Sequence, residues 1–262
     1  MKSRKYLALM LLGFVAARPA AGQASVRGTE FVSIRGKQVA VYSYAAPGEA
    51  SLPRGKVLFA PGELGMHGFA VTIAETMASW GYDVYGLDTR QYLESFSGET
   101  SLRTSDVMSD FRQLARWATG GTRQRVALVG WSEGAGLCLL AAAADSNKEF
   151  FSGLTVFGLT ESNLLGWRWS DLFSSLAGKE AREPKFLSQD HLARVAPLPL
   201  LVIQSTGDQY VSVETQKRMF ATAQEPKRLV VIEAKNHRFE GNQQELFRNI
   251  REGLQWLSQT TQ

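Results

Sequence analysis

The sequence predicts an α/β fold: a mostly parallel sheet of about eight strands, helices on both faces, and a short cap inserted late in the chain. Two observations carry this. Compact apolar runs alternate with stretches of helical period from residue 57 onward, and strands that alternate with helices build parallel sheets covered on both sides. The chain has 262 residues, enough for one large core without division into two domains.

The first 24 residues stand apart. Lys2, Arg4 and Lys5 precede an apolar run over residues 6–17, and small residues follow at Ala20, Ala21, Gly22 and Ala24. A basic start, a short apolar stretch and a small-residue cleavage site make a secretory signal. The run is shorter than the ~20 residues of a spanning helix; the alternative is an uncleaved anchor. The reading is therefore a signal peptide over 1–24, a folded domain over 25–262, and an exported protein, periplasmic or secreted. The charge agrees. There are 29 Lys and Arg against 25 Asp and Glu, but Lys2, Arg4, Lys5 and Arg18 all lie in the signal. The mature chain is balanced and offers no electrostatic footprint for nucleic acid. A single cysteine, Cys138, excludes an internal disulfide and reads as a small core residue of a helix.

Residues 29–44 alternate as two strands, with Phe31 and Ile34 in the first and Val39, Val41, Tyr42 and Tyr44 in the second. A turn near Gly36-Lys37 joins them as an antiparallel edge. Pro47, Gly48, Pro53 and Gly55 mark a loop. A strand over 57–60 leads to a helix over 67–80, where Phe69, Ile73, Met77 and Trp80 share a face; Gly81 stops it. The unit then repeats: strand 82–87, helix 105–118, strand 125–129, helix 133–144, strand 154–159. After an interruption come strand 200–204, helix 214–223, strand 228–232 and helix 245–256. The interruption, residues 160–196, holds Trp167, Trp169, Leu172, Phe173 and Leu176 without a strand period. It reads as a cap over the carboxyl edge of the sheet, or as an ordinary loop and helix.

Gly130-Trp131-Ser132-Glu133-Gly134 fits G-x-S-x-G. The match gains weight from its setting, after an apolar strand and before a helix of small residues. That strand–turn–helix arrangement exposes the serine hydroxyl on a strained turn, at a helix N-terminus that favours negative charge. A serine needs a base. Of the three histidines, His67 opens a helix and His191 lies in the interruption; His237 follows the last strand, at the end of the sheet where α/β sites form. The base needs a carboxylate to hold its tautomer. Asp208 follows the strand 200–204, and the order Ser132, Asp208, His237 is the order expected of this arrangement; Glu161 is the alternative acid. The oxyanion hole should use the Glu133 N–H and a second from the loop after strand 57–60, with Glu63 the candidate and Leu64 the alternative. That loop spaces its glycines G-x-x-G-x-x-G from Gly62 to Gly68, not as a dinucleotide fingerprint, and no P-loop or metal-ligand pattern is present. Neither cofactor nor metal is expected.

These residues resemble the α/β-hydrolase superfamily, over nearly all of the mature chain as an element order. More narrowly, Gly86-Leu87-Asp88 with Gln91-Tyr92-Leu93, Phe157-Gly158-Leu159-Thr160, and Asn236-His237-Arg238-Phe239-Glu240-Gly241 resemble the bacterial virulence-factor, VirJ-type hydrolase domain. Pro61-Gly62 departs from the Ser-Gly-Asp-like run of that group. The resemblance implies an exported serine hydrolase of carboxylic esters, acting on aminoacylated phospholipids such as lysyl-phosphatidylglycerol. The partners it implies are a small-molecule or lipid ester and, for a lipid, the membrane surface. Two rival readings are a non-catalytic binding or assembly factor and a serine peptidase.

Overall fold

A computed structural model describes residues 26–45, 54–98, 101–166 and 183–260. The expected signal, and residues 167–182 of the expected cap, lie outside them. Eight strands form one sheet: β1 (Val26–Ile34), β2 (Lys37–Tyr44), β3 (Gly55–Ala60), β4 (Tyr82–Leu87), β5 (Val126–Trp131), β6 (Phe151–Phe157), β9 (Leu200–Ser205) and β10 (Lys227–Ile232). Their spatial order is β1-β2-β4-β3-β5-β6-β9-β10. β1 and β2 are antiparallel, as is β2 against β4, and every later pair is parallel. The antiparallel edge and the parallel body are both as the sequence predicts.

Alternation along each strand divides the core into two. Leu58, Leu128 and Val202 pack on one face with α2 (Thr89–Ser95), α3 (Thr104–Ala118) and α4 (Glu133–Ala143). Phe59, Val129 and Ile203 pack on the other, with α1 (Phe69–Ser79) and the C-terminal helix Gln243–Thr260. Neighbouring residues of a strand point to opposite faces, so a strand covered on both sides must be apolar throughout; β5 is buried at all six positions. α3 is amphipathic, burying Val107, Phe111 and Leu114, and Asp106 accepts the Arg103 backbone N–H at its start. α4 is different. Of its residues only Glu133 escapes full burial, and glycine and alanine let it lie close against the sheet.

Three elements depart from expectation. α2 is a helix of seven residues, too short to show a face in the sequence; Asp88 caps it by accepting the Gln91 N–H at 3.0 Å. Within residues 160–196, β7 (Ser162–Leu164) and β8 (Lys185–Leu187) pair as a separate antiparallel sheet, followed by the short helix Gln189–Leu192. Strands of three residues are below the length at which alternation can be read.

Candidate active site

β5 delivers the serine. Ser132 adopts φ 56°, ψ −126°, a conformation that costs a non-glycine residue roughly 1–3 kcal/mol and persists only where its surroundings enforce it. The enforcement comes from crowding. A Cβ on Gly130 would lie 2.6 Å from Ala135 Cα, and one on Gly134 would overlap the carbonyls of Ala60 and Pro61. Glycine at both positions allows β5, α4 and β3 to meet, and the chain between them has room only for a sharp turn. The Ser132 N–H donates to the Phe157 carbonyl at 3.1 Å, fixing the turn to the neighbouring strand.

β9 and β10 deliver the other two groups. After β9, Asp208 folds back on its own loop: its Oδ1 accepts the N–H of Tyr210 at 2.9 Å and of Val211 at 3.3 Å. Its Oδ2 lies 2.7 Å from His237 Nδ1. After β10, Asn236 shapes the histidine turn by accepting the N–H groups of Arg238 and Glu240, and Phe239, fully buried at φ 56°, anchors it. The imidazole stands against Gly158, where an added Cβ would fall 3.0 Å from Nε2. Tyr210 meets the ring edge-on at 4.9 Å, and Trp131 stacks at 6.0 Å. A carboxylate can only accept, so Nδ1 is the donor of this pair, and in a neutral imidazole Nε2 is then the acceptor nitrogen. Nε2 is buried and has no hydrogen-bond partner among the described residues. The Ser132 hydroxyl is therefore not bonded to it in this state, although both line one cleft; such contacts often close only around substrate.

The cleft encloses about 220 Å³. Glu63, Leu64, Phe69, Trp131, Tyr210 and Arg238 wall it around Ser132 and His237. Gly62, N-terminal to this wall, lies close to Ser132: a Cβ added there would sit 3.2 Å from Ser132 Cβ. Gly62 to Gly65 form a turn closed by Gly65 N–H to Gly62 O at 3.0 Å. It rests on Asp88, whose carboxylate occupies the space a Gly65 side chain would need. Glu63 thus stands on the loop beside Ser132, and Glu133, as the first residue of α4, has no acceptor within its helix for its own N–H. The Glu133 carboxyl is pushed up to about 8, first by burial and then by the negative charge of Glu63.

The sequence candidates Ser132, Asp208, His237, Glu133 and Glu63 thus gather at one end of the sheet. Glu161 does not join them; it is exposed, and its carbonyl accepts the Ser188 N–H. His191 meets Phe186 edge-on at 5.5 Å in the insertion. His67 is exposed at the cleft rim. Sequence reasoning missed Gly158 and Tyr210, whose parts depend on contacts between strands distant in the chain. Among the described residues no group of three or more His, Cys, Asp or Glu could hold a metal ion.

Residues 72–262, from within α1 to the last residue, match the prolyl oligopeptidase family, Peptidase_S9. The chain belongs to this family. As a prolyl oligopeptidase family member it is a hydrolase of the α/β fold, which the solved structures bear out for the fold. It is similar to the α/β hydrolase GrgF from Penicillium sp. sh18, at 14% identity and TM-score 0.65 over 88% of this chain and 97% of that one. Est1E from Butyrivibrio proteoclasticus superposes at 13% identity and TM-score 0.64 over 88% and 98%. A dienelactone hydrolase from Anabaena variabilis does so at 20% identity and TM-score 0.61 over 86% and 95%. No curated protein matches the chain.

Proposed function

We propose that this family member is a serine hydrolase that cleaves carboxylic esters through Ser132, His237 and Asp208. One observation carries the reading: the 2.7 Å Asp208–His237 pair leaves Nε2 as an unengaged base beside a serine on a strained turn. Ser132 attacks the ester carbonyl and His237 takes its proton. The N–H groups of Glu133 and Glu63 receive the oxyanion. His237 then protonates the leaving alcohol, and water, deprotonated by the same histidine, releases the acyl group. Ser132→Ala should abolish p-nitrophenyl ester cleavage, lowering kcat by about 10⁶-fold, and should end fluorophosphonate labelling while circular dichroism is unchanged. Labelling that survives in this variant refutes the reading.

The family match favours a second reading, a peptidase with the same three residues, since specificity lies in the cleft and not in the triad. Amide and ester substrates compared on one preparation separate the two. The aminoacyl-phospholipid substrate of the VirJ-type resemblance belongs to the first reading. Glu63 in the cleft wall supports a cationic acyl group. Equal kcat/KM for lysyl and neutral acyl esters removes the cationic preference. Export is part of the proposal, and a mature protein that begins near residue 25 is its test.

A further inference from the structure

An acidic residue in the first turn of a helix usually needs no further explanation, because the helix dipole favours its charge. Glu133 does not fit that account. A dipole-bound carboxylate is held low in pKa, whereas burial and Glu63 push this one up to about 8. The side chain is engaged elsewhere. Its Oε1 accepts the backbone N–H of Leu164, in β7, at 2.5 Å. Three residues on, and so on the same face of α4, Gly136 meets the preceding residue of that strand: a Cβ there would overlap the Asn163 side chain. Asn163 is fully buried and holds the insertion together, donating to Ser188 Oγ at 2.8 Å and accepting from Thr160 Oγ1 at 3.0 Å. The first turn of α4 is therefore fastened to β7 at two adjacent points, one by hydrogen bond and one by close approach.

We propose that Glu133 is a positioning residue, whose side chain braces the nucleophile-bearing end of α4 against β7 and so fixes the oxyanion-directed N–H of the same residue. This rests on Ser132 being the nucleophile. The brace needs an acceptor, not a charge. A neutral carboxyl still accepts through its carbonyl oxygen, and a glutamine of the same shape does likewise.

The test is a pair of variants on the full-length protein, read by steady-state kinetics on a p-nitrophenyl ester. Glu133→Ala should lower kcat about 10- to 100-fold, the cost of a slightly misplaced site, with little change in KM. Glu133→Gln should restore most of that kcat. If the alanine variant does not fold, Glu133→Asp, one methylene short of Leu164, is read in its place with the same expectation. A wild-type kcat in the shortened variant overturns the proposal, and so does a glutamine variant as slow as alanine. A wild-type protein that takes no fluorophosphonate at Ser132 refutes the nucleophile assignment instead, which keeps the two failures apart.

Discussion

His237 Nδ1 sits 2.7 Å from Asp208 Oδ2, and the Asp208 side chain has no exposed surface. The carboxylate serves two masters: one oxygen orients the imidazole, the other closes its own loop through the N–H groups of Tyr210 and Val211. Asp208→Asn should keep the loop, since an amide oxygen still accepts, but it favours the wrong tautomer of His237. We expect kcat to fall by roughly 10⁴-fold with little change in melting temperature. A loss under tenfold would mean that the imidazole is held by something else.

Gly158 stands where the imidazole needs an empty space. Its φ of 59° is strained for any side chain, and a Cβ would lie 2.9 Å from His237 Nδ1. Gly158→Ala should push the ring out of line and lower kcat on the order of 10²-fold. Nuclear magnetic resonance of the imidazole protons would check the cause: an unshifted Nδ1–H signal in the variant contradicts it.

The raised pKa of Glu133 makes stability depend on pH. In the folded chain it lies at about 8, against 4.5 for an unperturbed glutamate. Between these values the folded state holds a proton that the unfolded chain has lost. Stability therefore falls as pH rises from about 4.5 through about 8, and the contribution levels off above. Glu133→Gln should flatten this part of the profile. Chemical melts of both proteins across the window test it, and parallel curves would show that another group is responsible.

Phe239 has no accessible surface and anchors the histidine turn against Phe157, ring centroids 6.3 Å apart. Phe239→Ala should cost about 3–5 kcal/mol of folding stability. Because the same turn carries His237, the proposed base, ester cleavage should suffer even at temperatures where the variant is folded. A variant that melts lower but cleaves at the wild-type rate would place the anchor's role in packing alone.

Much of this was legible in the residues. The apolar run ending at Val129, the glycines at 130 and 134, and the small residues after them by themselves describe a strand, a turn and a buried helix. Asp208 and His237 stand out because each follows a strand at the same end of the sheet. The rest required three dimensions. α2 has only Thr89, Tyr92 and Leu93 buried, too few to mark a face. β7 and β8 show no period over three residues each. Tyr210 looks like any loop tyrosine until its ring is seen against His237. Glu133 is read from the sequence as a backbone donor; that its side chain reaches Leu164, 31 positions away, is a fact of tertiary structure.

The serine is carried by β5, well inside the sheet, whereas the histidine hangs from β10, an edge strand, which has a neighbour on one side only and leaves Val231 40% exposed. Strands of this kind open locally at far lower cost than the centre. With His237 as the proposed base, turnover becomes a gauge of peripheral fraying: in rising denaturant, catalysis should be silenced while far-ultraviolet circular dichroism still reports an intact interior. On that proposal, the border and not the core sets the conditions under which the molecule can work.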